Sequence, residues 1–236
     1  MRFGGLQRLT LSDYPGRVAA VAFASGCNFR CAYCHNPALL GGRSEESPYT
    51  TRDVLNLLDR RRGKLNGLVI SGGEPTLQRT LIPFSRQVKA RGLAIKLDTN
   101  GSRPEVLRQL LEEELVDYVA MDIKAPLERY DSVAGAREVA RAIGQSIELI
   151  LCAAVDHEFR TTVVKPLLAE DDVVSIGCML YGTARYVLQP FVPDQTLDPT
   201  LGQRASAFTA GEMGSLRDRL VGMGIPCSVR GVPGLA

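Results

Sequence analysis

The sequence has no strong excess of charge of either sign and no long apolar run. Its 236 residues include 28 Lys and Arg against 26 Asp and Glu, for a formal net charge of +2. This balance argues against a nucleic acid or a membrane surface as the partner. The longest apolar runs, residues 18–24 and 149–155, are far shorter than the roughly 20 residues that a membrane-spanning helix needs.

Cysteine is scarce in most of the chain and crowded in one place. Residues 1–5 lack the apolar stretch of a secretory signal, so we expect a cytoplasmic protein whose thiols stay reduced. Three of the six cysteines fall within eight residues, and the other three are scattered singly. This distribution predicts metal ligands at the crowded cysteines rather than a disulfide framework.

Short apolar runs rich in β-branched residues alternate with helical stretches, which is typical of a parallel α/β sheet or barrel. The pattern predicts strands over residues 18–24, 67–71, 94–98, 117–122, 158–164 and 184–190. It predicts helices over residues 51–62, with Thr51 as N-cap, and over 77–91, 104–115, 137–154, 170–180 and 212–223. Residues 43–48 are predicted to form a loop.

Six strand–helix units are too few for a closed eight-stranded barrel. The sequence therefore predicts an α/β fold with an open, partial (β/α)6 barrel, and a doubly wound sheet is the alternative. No internal repeat or linker is present, so we expect a single domain over residues 1–236 with an irregular tail from about residue 225. Both folds place ligands at the carboxyl ends of the strands.

The crowded cysteines, Cys27, Cys31 and Cys34, lie in a loop over residues 26–37, directly after the first predicted strand. Two kinds of metal site fit them. Zinc requires four ligands, and His35 would supply the fourth in a structural or interaction module. A cubane iron–sulfur cluster normally takes four cysteines, so three would leave one iron open to bind a substrate.

Polar residues follow the next three predicted strands. Gly72, Gly73 and Glu74 end the second strand, and a glycine pair allows close approach of the backbone to a ligand. Strand alternation places Lys96 and Asp98 on one face of the third strand, before Thr99 and Asn100. It also places Asp122 and Lys124 on one face at the end of the fourth strand.

The spacing Cys-x3-Cys-x2-Cys, with Tyr33 before the last cysteine, resembles the signature of the radical S-adenosylmethionine superfamily. The ending over residues 34–37 resembles its glycyl-radical activating enzymes. Further motifs lie at residues 11–16, 72–75, 98–101, 119–126 and 189–191. With them, the chain from Gly4 to about Pro199 is similar to the activating proteins of anaerobic ribonucleoside-triphosphate reductase.

The resemblance implies a partial six-unit barrel and a [4Fe–4S] cluster on the three cysteines that cleaves S-adenosylmethionine. It implies that Gly72, Gly73 and Glu74 bind the methionine amino group and that Lys124 contacts the carboxylate. Residues implied to bind the cofactor elsewhere are Tyr33, which packs near the adenine, His35 and Asn100. Asp98, Thr99 and Asp122 are implied to border the cofactor and a monovalent cation.

The implied reaction gives a 5′-deoxyadenosyl radical that generates a glycyl radical on anaerobic ribonucleotide reductase. A low-potential donor such as flavodoxin or ferredoxin would supply the electron. Two alternatives remain at this point. One is a radical enzyme of the same class that acts on a small molecule or another peptide, and the other is the zinc-bearing module.

Overall fold

The structure, a computed structural model, describes residues 1–41, 48–193, 196–232 and 234–235. Within these ranges no helix is long and apolar enough to cross a membrane. The chain divides into two compact units, each described below by itself. The first consists of Met1–Asn28, Ala38–Ala120 and Ala153–Asp156, and the second of Phe29–Pro37, Met121–Cys152 and His157–Ala236.

The first unit is built on a mixed sheet with helices in its connections. Its strands are β1 (Arg2–Thr10), β2 (Ala19–Ala24), β3 (Tyr49–Thr50), β4 (Gly67–Gly72) and β5 (Ala94–Thr99). They lie in the order β3-β1-β2-β4-β5; β1 is antiparallel to β2 and β3, and β2, β4 and β5 are parallel. Its helices are α1 (Thr51–Arg60), α2 (Leu81–Lys89) and α3 (Pro104–Glu112).

Strand β2 is an uninterrupted apolar run, as expected for a strand that is covered on both faces. Every residue of β2 except the half-buried Phe23 is buried. Tyr14 and Tyr118 pack edge to face at 6.1 Å within a core cluster that includes Val21 and Val69. Strand β6 (Tyr118–Asp122) begins in this unit and ends in the second.

The second unit continues the alternation of strands and helices. Its elements are α4 (Tyr130–Ala134), α5 (Ala140–Cys152), β7 (Asp156–Lys165), α6 (Glu170–Met179), β8 (Tyr186–Pro190), α7 (Leu201–Arg204), β9 (Ser206–Ala207), α8 (Ala210–Gly222) and β10 (Cys227–Val229). Strand β7 begins with Asp156, the last residue of the first unit. Strands β7, β8 and β10 are parallel neighbours in that order, and β9 pairs antiparallel with β7.

All six predicted strands are present, as β2, β4, β5, β6, β7 and β8, with ends displaced by at most two residues. Strand β1 was not predicted, and β10 lies inside the tail that was predicted to be irregular. The predicted loop over residues 43–48 lies outside the described residues except for Pro48.

Helix ends were predicted less well than strands. The N-cap of α1 is Thr50 and not the predicted Thr51, because the Thr50 side chain accepts a hydrogen bond from the Asp53 amide while the Asp53 carboxylate accepts one from the Thr50 amide. Helix α2 begins at Leu81 and not at residue 77, because Pro75–Leu77 forms a separate 3-10 turn capped by Glu74.

Candidate active site

The carboxyl ends of β2, β4 and β5 lie side by side in the first unit. Ala24 pairs with Gly72, and Ile70 pairs with Leu97, so the three strands end at the same edge of the sheet. These strand ends and the loops that follow them carry the first cysteine, the glycine pair and the Asp-Thr-Asn-Gly segment of the predicted site. The sheet thus gathers polar residues that are far apart in the sequence.

The glycine pair brings the end of β4 against the loop that leads to the first cysteine. The Gly73 amide donates a hydrogen bond to the Ala24 carbonyl at 2.9 Å, and the Glu74 amide donates to the Gly26 carbonyl at 2.8 Å. A Cβ atom on Gly73 would lie 2.2 Å from the Gly26 oxygen, and Gly72 has a φ of +110°. Only glycine permits this approach at both positions.

Glu74 is fully buried and ties the loop after β4 to the loop after β5. One carboxylate oxygen accepts hydrogen bonds from the Thr76 amide at 3.0 Å, from the Thr76 hydroxyl and from the Thr99 hydroxyl at 2.8 Å. The other oxygen accepts from the Asn100 amide at 2.6 Å. Burial raises the pKa of Glu74, and these hydrogen bonds act in the opposite direction. The predicted contact between Glu74 and a cofactor stays a prediction.

Asn100 connects Glu74 and its hydrogen-bond partners to the first cysteine. Its side-chain amide donates to the Cys27 sulfur at 3.8 Å and to the Asn28 side-chain oxygen at 3.1 Å. Hydrogen bonds to sulfur ligands tune the reduction potential of an iron–sulfur cluster. Asn100, which as an Asn-Gly turn residue has an ordinary structural explanation, therefore also contacts a predicted ligand.

Asp98 is paired with a buried lysine on the same face of β5, as strand alternation predicts. The Lys96 ammonium lies 2.5 Å from one Asp98 oxygen, and the Ser71 hydroxyl donates to the other at 2.9 Å. Only 3% of the Lys96 side chain is exposed. The carboxylate is therefore balanced by a charge from its own strand.

In the second unit, the loop with the other two cysteines is held by the end of α4. The Arg30 amide donates to the Ala134 carbonyl at 2.9 Å, and the Cys31 sulfur lies 3.6 Å from the same oxygen. Gly135 ends α4 with a φ of 60°, and a Cβ atom there would lie 2.5 Å from the Arg30 oxygen. The Cys34 amide closes a turn on the Cys31 carbonyl at 3.0 Å.

In this loop the Tyr33 side chain is buried and the His35 side chain is exposed. Tyr33 is buried, and its hydroxyl has no hydrogen-bond partner among the described residues. Burial, followed by the nearby Cys31 and Asp122, raises the pKa of Tyr33 well above its ordinary value. A buried hydroxyl without a protein partner is able to form a hydrogen bond with a bound ligand. His35 is exposed, and its ring centroid is 6.3 Å from that of Phe191.

Asp122 and Lys124 lie on one face at the end of β6, and a third charged group joins them. The Lys124 ammonium is 3.0 Å from one Asp122 oxygen, and Arg160 on β7 donates to the other at 2.8 Å. Burial would raise the pKa of Asp122, but the two cations hold it well below its ordinary value. Burial would likewise lower the pKa of Lys124, but Asp122 keeps it above its ordinary value. Asp122 thus faces two cations, and the Arg160 guanidinium also lies 3.9 Å from the buried Glu158 carboxylate.

The donor set fits the predicted cofactors. Among the described residues, no three His, Cys, Asp or Glu side chains gather as the ligands of a single ion would. A four-iron cluster holds each cysteine on a different iron, so its thiols need not meet at one point. Soft thiolates from one short loop are the donors that such a cluster takes.

Comparison with known proteins identifies the family. The model of the radical SAM superfamily matches residues 21–159, which is more than half of the chain. The chain belongs to the radical SAM superfamily. The matched segment contains Cys27, Cys31 and Cys34 and the ends of β4, β5 and β6. The zinc-bearing module is therefore set aside.

This radical SAM protein is also similar to curated relatives. It is 36% identical over 199 residues to a putative glycyl-radical enzyme activating enzyme of Methanocaldococcus jannaschii, which covers 82% of this chain and 81% of that one. It is 32% identical over 130 residues to the pyruvate formate-lyase-activating enzyme of Clostridium pasteurianum, with 52% of each chain covered. The chain thus spans about half the length of the second relative. Both names support the predicted enzyme class.

A solved structure confirms the fold class. The structure of native anSMEcpe with bound AdoMet superposes with a TM-score of 0.54 at 17% identity, and the match covers 88% of this chain and 61% of that one. The α/β class with a mostly parallel sheet is confirmed, and the predicted partial barrel fits it. The superfamily uses a [4Fe–4S] cluster and S-adenosylmethionine, as predicted.

Each unit brings together part of the predicted site. Gly73, Glu74, Thr99 and Asn100 are linked to one another or to the Cys27 loop in the first unit. In the second unit Lys124 and Asp122 form one group, and Cys31 and Cys34 share one turn. Sequence reasoning missed the role of Arg160 as a partner of Asp122, because the contact depends on the register between β6 and β7.

Proposed function

We propose that this chain cleaves S-adenosylmethionine reductively and uses the resulting radical to activate a glycyl-radical enzyme, with anaerobic ribonucleotide reductase as the target. The observation that carries the proposal is the Cys27–Cys31–Cys34 loop at the end of β2 in a chain of the radical SAM superfamily. The name of the 36% identical relative supports the activating role.

The three cysteines would hold a [4Fe–4S] cluster and leave one iron open for the amino and carboxylate groups of S-adenosylmethionine. A cluster held by these cysteines would supply the one-electron reduction that splits S-adenosylmethionine into methionine and a 5′-deoxyadenosyl radical. A low-potential donor such as flavodoxin or ferredoxin would replace that electron. The chain itself would bind and orient S-adenosylmethionine and exclude water from it.

The residues of the first unit would position the amino end of the ligand. Gly72 and Gly73 let the end of β4 lie directly against the loop that leads to Cys27, which would place this backbone beside the ligand. Glu74 acts through its hydrogen bonds to Thr99 and Asn100, which fix the loops on both sides. In this proposal the Asn100 amide donates to the Cys27 sulfur and stabilises its thiolate form.

The residues of the second unit would position the carboxylate and the adenosine. Lys124 shares Asp122 with Arg160, so its ammonium has capacity to bind the ligand carboxylate. The buried Tyr33 would lie near the adenine, and His35 would lie at the exposed rim of the loop. The radical then takes a hydrogen atom from a glycine Cα of the partner, which gives 5′-deoxyadenosine and a glycyl radical.

The chemistry is tested by anaerobic purification, iron and sulfide analysis, and a dithionite assay for 5′-deoxyadenosine. We expect roughly four irons and four sulfides per chain, with formation of 5′-deoxyadenosine. Cys31→Ala should abolish cleavage. Cys152→Ala, which changes an exposed cysteine on α5, is the matched control and should retain it. Retained cleavage in Cys31→Ala would refute the proposed ligand set.

The target is tested by adding anaerobic ribonucleotide reductase encoded in the same genome and recording an electron paramagnetic resonance spectrum. A glycyl-radical signal that is lost when the target glycine is replaced by alanine would support the proposal. Formation of 5′-deoxyadenosine without a radical on the reductase would favour a small molecule or another peptide as the substrate.

A further inference from the structure

Asp98 and Asp122 are the two aspartates that the family resemblance places beside a monovalent cation, together with Thr99. In this structure each of them is already paired with basic side chains from its own unit. The source of positive charge at these carboxylates is therefore within the chain.

In the first unit the pairing is buried. The Lys96 ammonium is 2.5 Å from one Asp98 oxygen and 5.8 Å from the centroid of the Tyr118 ring. The exposed fractions of the Lys96 and Asp98 side chains are 3% and 15%. The aromatic ring also attracts the ammonium, which helps to hold it at this position.

Thr99 is also engaged by protein groups. Its hydroxyl donates to the Glu74 carboxylate at 2.8 Å and accepts from the Gly101 amide at 3.1 Å. Both implied cation ligands of the first unit thus already have protein partners.

In the second unit the carboxylate faces two cations. Arg160 donates to one Asp122 oxygen at 2.8 Å, and the Lys124 ammonium lies 3.0 Å from the other. The Ile123 amide donates to the Arg160 carbonyl at 2.8 Å, which fixes the register between the two strands. A guanidinium is always charged, so this group carries an excess of positive charge before any ion binds.

We propose that Lys96 and Arg160 are built-in counter-cations that replace a monovalent metal ion at Asp98 and Asp122 and hold these carboxylates in position for S-adenosylmethionine. A metal ion that entered either group would meet a like charge within a few ångströms, which disfavours its binding. The part concerning S-adenosylmethionine rests on the proposed function, whereas the replacement of the ion does not.

The first test uses the unaltered protein. Thermal unfolding without S-adenosylmethionine, and 5′-deoxyadenosine formation by the cluster-loaded enzyme, are compared in KCl, NaCl and tetramethylammonium chloride at equal ionic strength. We expect the same melting temperature and the same rate in all three salts. Activation of about tenfold by potassium or sodium would overturn the proposal.

The second test removes the ammonium with Lys96→Met, which leaves Asp98 without its lysine. This variant should acquire a site for a small cation, so its melting temperature should rise with potassium or sodium and not with tetramethylammonium. Its affinity for S-adenosylmethionine, measured by equilibrium dialysis, should recover about tenfold with the same ions. The double variant Lys96→Met/Asp98→Asn is the matched control and should show no cation response.

The double variant Arg160→Met/Lys124→Met, which leaves Asp122 without either of its cations, makes the same melting-temperature test in the second unit and keeps the proposal falsifiable if Lys96→Met does not fold. A variant that folds but responds equally to all three salts, in both readouts, would show that these residues are only structural. If the enzyme does not cleave S-adenosylmethionine at all, the proposed function fails, and the melting temperatures without ligand still decide whether the ion has been replaced.

Discussion

Glu74 accepts hydrogen bonds on both carboxylate oxygens while fully buried. Glu74→Gln keeps the shape but turns one acceptor into a donor, which then faces a backbone amide that also donates. We expect a loss of about 1–3 kcal/mol in the free energy of unfolding, because one buried donor is left unsatisfied. Urea denaturation under anaerobic conditions measures this loss.

The pH dependence of the same variant tests the direction of the pKa shift. Burial raises the pKa of Glu74 above its ordinary value of 4.5, so the folded state binds this proton more tightly than the unfolded state. The contribution of this bound proton to the stability of the folded state is complete below pH 4.5. It is lost as the pH rises through the pKa of Glu74 in the folded state. The stability difference between the unaltered protein and Glu74→Gln should therefore narrow as the pH rises above 4.5.

A matched control for this prediction is Glu113→Gln, which changes an exposed carboxylate that pairs with Arg86. Exposed ion pairs contribute little, so its unfolding curve should stay close to that of the unaltered protein. If the free energy of unfolding of Glu74→Gln were equally unchanged, Glu74 would not hold the loops after β4 and β5 together.

Residue types, spacing and the family resemblance gave the candidate site residues, whose roles stay predictions, but they did not predict the partners of these residues. The Cys27–Cys31–Cys34 spacing can be recognised without a structure, because the ligands come from one short loop. The bond from Asn100 to Cys27 and that from Arg160 to Asp122 join separate strand ends. Such contacts depend on strand register, which the local sequence does not encode.

The close approach of β4 to the loop after β2 depends on glycine. In Gly73→Ala the new Cβ would lie 2.2 Å from the backbone oxygen of Gly26, so the loop that leads to the first cysteine must move. We expect a loss of about 1–3 kcal/mol in stability and a strong fall in 5′-deoxyadenosine yield. Thermal unfolding and the dithionite assay measure the two effects.

Gly222→Ala is the control for this element, because Gly222 ends α8 and a Cβ atom there would meet nothing within 4 Å. It should leave both stability and yield unchanged or raise stability slightly, as alanine favours a helix over glycine. If the two substitutions changed stability and yield equally, the close approach of Gly73 to Gly26 would not determine the position of the cysteine loop.

Strands were predicted more accurately than helix ends, for a physical reason. A buried parallel strand is an uninterrupted apolar run, whereas a helix end depends on side-chain caps and tertiary contacts. Helix α5 begins at Ala140 rather than at residue 137, and the Asp131 carboxylate accepts the amides of Glu138 and Val139 just before it. Strand β1 was missed because Gly4 and Gly5, which are unusual in strands, fit against Leu39 and Phe23.

For the whole molecule, the proposed function predicts that ligand binding depends on the cluster. The cluster-loaded protein with S-adenosylmethionine at about 100 times its dissociation constant should gain about 2.7 kcal/mol. For a chain of this size that corresponds to a rise of roughly 5–10 °C in melting temperature. Removal of the iron with a chelator should abolish most of the rise, because in this proposal the cluster on Cys27, Cys31 and Cys34 would supply part of the binding site.

Two variants separate binding at the iron from binding by the protein. Cys152→Ala should show the full rise, since this exposed cysteine lies outside the loop. Lys124→Met should keep its iron content but show a smaller rise, because the ligand carboxylate loses its ammonium partner. A full rise in the iron-free protein would mean that the chain binds S-adenosylmethionine without the cluster, and the thiols would then need another explanation.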